Sequence, residues 1–370
     1  MGVFCQHAGV CGGCSLLAHT YADQLKSKGA SLGDRLKISP PAFEPVFPGN
    51  EMPQGFRQKV AFVFGRGLVM GHYARGSRSI VPIRECPVHS ARGNRIAFAL
   101  RDELVRCRIE PGILRHLLVR TSQDDRQAIA MLVVTHNDKS LRRPVRAFLE
   151  TKEKPDGFFI NINDDPGPFM VGPETIRIAG KRHVVEKIDG LSFLVSPNAF
   201  FQTNVLAAAS IQRQVVAGVG EGRVLDLYCG SGLFSLAIAR HAKRVVAIEE
   251  NGQAIRDAEG NAKLNRIPAE RLRFLRARVE DGLERVSRDN WDAVVLDPPR
   301  QGCSRDVLAG VFERIRPARG VYVSCNPEAL AGELPSILKA GYQVDEVRPV
   351  DMFPHTDHIE TVVRLSRRLS

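Results

Sequence analysis

Cys325 stands out chemically, in the segment Val323-Ser324-Cys325-Asn326-Pro327. A lone buried cysteine is usually a small inert hydrophobe. Here Ser324, Asn326 and Pro327 mark a polar loop at the end of an apolar run, so the thiol belongs to a strand edge and not to a core. A thiolate in such a place suits addition to an electron-poor ring. Added to carbon 6 of a uracil, it turns the ring into an enolate whose carbon 5 can attack an electrophilic methyl group. A base must then remove the carbon 5 proton. Asp351, His355, Asp357, His358 and Glu360 supply five candidates within ten residues. Each alone reads as a surface residue. Glu360 opens the last apolar strand, which suits a rigidly held base.

A second group of residues points to the source of the methyl group. Asp226-Leu-Tyr228-Cys-Gly230-Ser-Gly232 follows one apolar run, and Glu249 ends the next. Gly230 and Gly232 let the backbone approach a ligand closely, and Glu249 can accept hydrogen bonds from both hydroxyls of a ribose. A nicotinamide dinucleotide site would want a third glycine where this chain has Ser235, and would hold a pyrophosphate at a helix N-terminus. S-adenosylmethionine has no phosphate and fits better. Asp297-Pro-Pro-Arg300 ends a further strand and presents a carboxylate and backbone carbonyls to the same edge. Amino-group methyltransferases place an aromatic residue after the two prolines. Arg300 in that place argues against amine methylation, and a plain proline turn is the structural alternative.

The elements that would carry these residues follow from periodicity. After Pro197, apolar runs at 223–228, 244–249, 272–277, 292–297 and 320–325 alternate with helical patterns at 204–219, 233–241, 252–264, 304–315 and 328–340. Alternation of this kind predicts an α/β fold with a doubly wound, mostly parallel sheet, whose ligands bind at the carboxyl ends of its strands. The last two runs, 342–350 and 359–366, have no helix between them and predict an antiparallel insertion. The first half reads differently: a helix over 21–37, a linker rich in Pro40, Pro41, Pro45 and Pro48, and strands and hairpins from 56 to 195 with helices at 91–106 and 141–153. It predicts an antiparallel α+β domain with its helices on one face. The expected divisions are 1–90, a cysteine-bearing segment with the first strands; 91–196, the remainder of the α+β domain; and 197–370, the doubly wound domain.

The 370 residues carry a net charge of +11, with 44% hydrophobic and 25% charged residues. That is an ordinary soluble composition with a basic surface that suits phosphate backbones. No apolar run approaches the roughly 20 residues of a membrane helix, and the N-terminus lacks the pattern of a secretory signal. A cytoplasmic protein that binds no membrane is expected. Nothing calls for an obligate dimer, so a monomer is expected. In a reducing compartment the eight cysteines are not expected to form disulfides. Cys5-x5-Cys11-x2-Cys14, with a distant Cys86, offers four thiolates that could hold zinc or an iron–sulfur cluster. The spacing differs from the Cys-x3-Cys-x2-Cys of adenosylmethionine radical chemistry.

Taken together, Phe201-Gln202-Thr203-Asn204, the run from Asp226 to Leu236, Asp297-Pro-Pro-Arg-Gln-Gly302, the Cys325 segment and Asp351 to Glu360 resemble the RNA 5-methyluridine methyltransferases over nearly the whole chain. The resemblance implies that Cys325 is the nucleophile and Glu360 the proton-abstracting base. It implies cofactor contacts from Gln202, Tyr228, Gly230, Glu249 and Asp297. Leu233 falls where some members carry a polar cofactor contact. Gln202 comes from the resemblance alone, because its segment otherwise reads as linker. Cys5, Cys11, Cys14 and Cys86 match the ligands of a [4Fe-4S] cluster in the ribosomal RNA branch, and the transfer RNA branch lacks that cluster. The resemblance therefore implies 23S ribosomal RNA as the partner, methylated before the ribosome is fully assembled. With Cys5 so near the start, no preceding β-barrel RNA-binding domain is expected, as in the shorter members. The same chemistry on transfer RNA, and an RNA-binding iron–sulfur protein without turnover, are the competing expectations.

Overall fold

The computed structural model describes residues 4–43, 46–47, 52–165, 167 and 169–368. Pro45 and Pro48 of the linker, and Pro166 and Pro168 of the turn after residue 163, lie outside the described residues. Helix α1 (Tyr21–Leu36) begins where the Thr20 side chain accepts from the Asp23 N–H, an N-cap that satisfies one of the helix's free donors. The chain then enters β1 (Lys59–Phe64), β2 (Met70–Tyr73), β3 (Ile80–Pro82), α2 (Ala91–Arg106), β4 (Leu114–Thr121), β5 (Ala128–Val134), α3 (Arg142–Glu150), β6 (Gly157–Ile162) and β7 (Glu174–Gly180).

These strands form one sheet in the order β3-β2-β1-β4-β5-β6-β7. Alternation along β4 sends Leu117 and Val119 into the core with α2 and α3, and Leu118 to the opposite face with Met131 and Phe159. The helices lie on one face, as expected. The expected antiparallel order is corrected at one place: β5 and β6 run parallel, because α3 carries the chain back across the sheet. An apolar pattern records which face is buried but not strand direction.

A hairpin follows, β8 (Val184–Ile188) with β9 (Leu191–Val195). Then come α4 (Val205–Val219), β10 (Arg223–Leu227), α5 (Leu233–Ala239), β11 (Arg244–Glu249), α6 (Gly252–Leu264), β12 (Leu272–Arg276), α7 (Val279–Val286), β13 (Ala293–Leu296), α8 (Arg305–Ala309), β14 (Arg319–Ser324), α9 (Pro327–Lys339), β15 (Tyr342–Val350) and β16 (Glu360–Arg367). The second sheet has the order β12-β11-β10-β13-β14-β16-β15. The pairs among β10 to β14 are parallel, and β16 runs antiparallel to both its neighbours.

Successive residues of this sheet face opposite cores. Val224, Val245 and Val295 pack with α4 and α5, whereas Leu225, Val246 and Val294 pack with α7, α8 and α9. The hairpin's Ile188, Leu191, Phe193 and Val195 belong to the first of these cores. Asn261 of α6 and Asn265 at its C-terminal end also accept from the backbone N–H groups of Leu194 and Ser192. The hairpin thus packs as part of the second sheet's core. Among the described residues no helix is long and apolar enough to cross a membrane.

Candidate active site

Strand order reverses between β10 and β13, and an open α/β sheet binds its ligands in the crevice outside the carboxyl ends at that reversal. The loop after β10 lines this crevice. Tyr228, Gly230 and Gly232 adopt left-handed backbone with φ of 62°, 54° and 88°. A Cβ on Gly230 would meet nothing within 4 Å, so the loop presents open backbone to the crevice. The Glu249 carboxylate accepts from the Gly230 N–H at 3.1 Å and from the Asn251 N–H at 2.8 Å, which fixes it at the end of β11. Asp226 is fully buried and accepts from the Ser235 hydroxyl, while its Oδ1 is buried without a partner among the described residues. Burial, opposed by the Ser235 bonds, pushes its carboxyl up to about 7.

Asp297 follows β13, and its carboxyl is pushed up to about 7 by burial and then by Asp226. Cys325 follows β14. Ser324 pairs with Thr361 across the antiparallel β14–β16 register, so the next residue on one strand, Cys325, meets the preceding residue on the other, Glu360. Parallel strands bring their ends to this edge, and an antiparallel strand brings its beginning. That is how the last strand delivers Glu360 to the edge that holds Cys325 and Asp297.

The electrostatics agree with this placement. Burial, then Glu360 and Asp297, raise the half-buried Cys325 thiol to about 11, and Arg300 opposes them. Burial, then Asp297, push the buried Glu360 up to about 8, again against Arg300. Two carboxyls and a thiol share the site, with the exposed Arg300 as the cation that acts on both Cys325 and Glu360. The Asn326 side chain donates to the Arg300 carbonyl at 2.9 Å and ties the two loops together.

The donor set suits S-adenosylmethionine: an open glycine backbone, a carboxylate at the ribose position, and buried carboxyls that a sulfonium charge would favour. Residues 171–368, more than half of the chain, match the family described as tRNA (Uracil-5-)-methyltransferase. The chain belongs to this family of RNA uracil-C5 methyltransferases. Its cofactor is S-adenosylmethionine. The methyltransferase is 33% identical over 98% of its length to an uncharacterized RNA methyltransferase of Caldanaerobacter subterraneus subsp. tengcongensis, covering 84% of that protein. It is 35% identical over 98% of its length to one from Gloeobacter violaceus, covering 82%. Among solved structures it is similar to the Pyrococcus abyssi tRNA (uracil-54, C5)-methyltransferase in complex with S-adenosyl-L-homocysteine. The TM-score there is 0.81 at 28% identity, covering 95% of this chain and 85% of that one.

The other residues singled out in the methyltransferase's sequence divide by environment. Tyr228 turns its hydroxyl to the Cys303 thiol, and burial followed by Cys303 raises its pKa. Leu233 is buried at the start of α5, where its carbonyl accepts from Gln212. Gln202 is half-buried between two anchored neighbours: the Phe201 carbonyl accepts from Arg120 at 3.2 Å, and the Thr203 carbonyl from the Gln58 N–H at 2.7 Å. Of the five acid–base candidates near the C-terminus, only Glu360 acts on Cys325. Asp351 is spent on a buried ion pair with Lys28 at 2.7 Å. His355 is buried in a hydrogen-bonded junction, and Asp357 and His358 are exposed.

Cys5, Cys11, Cys14 and Cys86 are all half-buried free thiols. Cys14 is raised to about 12 by burial, with Cys86, Cys11 and Cys5 adding to the shift against Arg57, so the four thiols are within electrostatic reach of one another. Among the described residues, however, no three His, Cys, Asp or Glu side chains are gathered closely enough to hold a metal ion.

Sequence reading missed Lys28, Gln24 and Glu333. Lys28 and Gln24 occupy the buried face of α1, where a hydrophobic pattern expects apolar residues. Glu333 of α9 accepts from the Cys303 N–H at 2.8 Å and the Tyr322 hydroxyl at 2.7 Å, pinning the end of the Asp297 loop.

Proposed function

We propose that the enzyme methylates carbon 5 of a uridine in 23S ribosomal RNA through a covalent Cys325 adduct resolved by Glu360. The observation that carries the mechanism is the register that sets Cys325 against Glu360 at the edge shared with Asp297. S-adenosylmethionine supplies an electrophilic methyl group on a sulfonium, whose positive charge would favour the ionised forms of the neighbouring acids. The Cys325 thiolate adds to carbon 6 of the uracil, and the electron pair of the ring double bond moves to carbon 5. Carbon 5 takes the methyl group as the sulfur–methyl bond breaks, its electron pair leaving on the thioether of S-adenosylhomocysteine, and still holds its proton. The Glu360 carboxylate removes that proton, the double bond re-forms, and the carbon 6–sulfur bond breaks to return the thiolate. Both ring carbons must reach this crevice, which requires the uridine to leave its stack.

RNA containing 5-fluorouridine tests the chemistry. Fluorine cannot leave as a proton, so wild type with cofactor should accumulate a covalent protein–RNA adduct and Cys325→Ala should not. Absence of the adduct in wild type, or its persistence in Cys325→Ala, refutes the mechanism.

The ribosomal target rests on the four cysteines. The [4Fe-4S] assignment is supported by the match of Cys5-x5-Cys11-x2-Cys14 and the distant Cys86 to the cluster ligands of the ribosomal RNA branch. Iron and acid-labile sulfide in anaerobically purified protein would support it, and stoichiometric zinc would oppose it. A transfer RNA target is the second reading, favoured by the similarity to the Pyrococcus abyssi enzyme. Mapping 5-methyluridine in a deletion strain separates the two: its loss from transfer RNA alone would overturn the ribosomal assignment.

A further inference from the structure

The loop between β15 and β16, which leads into Glu360, is held chiefly by the N-terminal segment, far away in sequence. The Lys28 ammonium pairs with Asp351 at 2.7 Å and donates to the Phe353 carbonyl at 3.1 Å, with both side chains of the pair buried. The His355 N–H donates to Gln24 Oε1 at 2.9 Å, and the Leu16 N–H donates to the His355 carbonyl at 2.9 Å. Gln24 closes the ring by donating to the Leu16 and His19 carbonyls, each at 3.1 Å. The His355 Nε2 lies 2.7 Å from the Pro53 carbonyl. A carbonyl only accepts, so Nε2 carries the proton, and the unprotonated Nδ1 faces Gln24 Nε2 at 3.4 Å, whose two hydrogens go to the Leu16 and His19 carbonyls. His355 also holds a left-handed φ of 67°, a costly state for a residue with a Cβ that persists only where surrounding contacts over-determine it. It stands five residues before Glu360. The same N-terminal segment is fixed on its other side to the first sheet, through the Gly12 N–H to the Tyr73 carbonyl at 2.9 Å and the Cys11–Ala74 bridge.

We infer that Gln24, Lys28 and His355 are positioning residues that hold Glu360 where it can take the carbon 5 proton, so that the N-terminal segment is a working part of the catalytic centre. This rests on the covalent mechanism proposed above.

The order of the chemical steps makes the inference specific. Glu360 acts after the nucleophile has added and the methyl group has arrived. A displaced base therefore leaves the methylated, cysteine-linked intermediate in place. Gln24→Leu removes the His355 and Leu16 bonds at nearly constant volume. With ordinary uridine-containing RNA and S-adenosylmethionine, its turnover should fall at least tenfold, and a denaturation-resistant protein–RNA adduct should accumulate, as it should in Glu360→Gln. Its affinity for S-adenosylhomocysteine, measured by titration calorimetry, should stay within twofold of wild type. If Gln24→Leu does not fold, His355→Asn takes its place, because Asn tolerates the left-handed backbone and cannot reach Pro53. Wild-type turnover, or lost turnover without adduct while Glu360→Gln does accumulate it, overturns the positioning role. No adduct in Glu360→Gln overturns the covalent mechanism, and the inference falls with it.

Discussion

The buried Glu360 should weaken the native state, and the size of the effect can be worked out. Its carboxyl is pushed from the ordinary 4.5 to about 8 by burial and by Asp297. A raised carboxyl holds its proton in the native state over a range where the unfolded chain has lost it. Stability is then complete below the unfolded value and falls as pH rises from about 4.5 towards 8. At pH 7 the penalty is about 3 kcal/mol, and at pH 5 it is under about 1 kcal/mol, taking 1.36 kcal/mol per pH unit. Gln keeps the volume and cannot ionise. Glu360→Gln should therefore match wild type near pH 5 and exceed it by about 3 kcal/mol at pH 7. For 370 residues that difference corresponds to roughly 4 °C in Tm. Urea unfolding of both proteins at pH 5, 6, 7 and 8 reads it directly. A stability difference that stays constant across the series, or reverses sign, would refute the account of Glu360 as a base enclosed beside Asp297. The variant would trade catalysis for stability, as expected when a site keeps an ionisable group that the fold disfavours.

Two further substitutions probe the surroundings of the site. Lys28→Met strands Asp351 in the core and should cost about 3–5 kcal/mol in urea unfolding; the double variant Lys28→Met, Asp351→Leu should recover much of that, and equal losses in single and double variants would count against a paired, buried charge. Gly302→Ala places a Cβ 1.8 Å from Glu333 Oε1 on backbone with a φ of 82°, so both Tm and turnover should fall. Adding Glu333→Ala should relieve the clash but leave a left-handed cost of about 1–2 kcal/mol, and full restoration would show that the backbone is not constrained there.

The parts of this enzyme that were legible from its sequence are those governed by local rules. Alternation of apolar runs and helical patterns placed Asp226, Glu249, Asp297 and Cys325 at the ends of parallel strands, since a doubly wound sheet leaves no other place for polar residues following such runs. The lack of a helix between the last two runs placed Glu360 at the start of an antiparallel strand. Other features depend on long-range packing that leaves no local trace. The parallel β5–β6 pair has the same apolar pattern an antiparallel pair would have. Helix α1 docks beside α9, with Arg35 on Glu328 at 3.2 Å and Leu36 against the core behind β14, yet its buried face carries Gln24 and Lys28. A helix that buries polar side chains against a partner looks, in sequence, like a solvated one.

The three loops that form the site are held in different ways, with a functional consequence. The loop after β10 is fixed by Glu249, which accepts from Gly230. The Asp297 loop is fixed by Glu333 through Cys303 and by Asn326 through Arg300. All of these anchors lie in the second sheet and its helices. Among the described residues, the loop from Asp351 to Ile359 buries Met352 in the core of that half of the chain and receives one side-chain hydrogen bond from it, Asn204 on the Met352 carbonyl at 3.0 Å. Its remaining cross-chain bonds come from Ser15, Leu16, Gln24, Lys28 and Pro53. Under the proposed mechanism, cofactor binding and nucleophile placement are properties of the second sheet, whereas placement of the base is shared with the segment that carries Cys5, Cys11 and Cys14. Any event that frees this segment should leave cofactor affinity intact and stop the reaction after methyl transfer, at the step where the proton must leave.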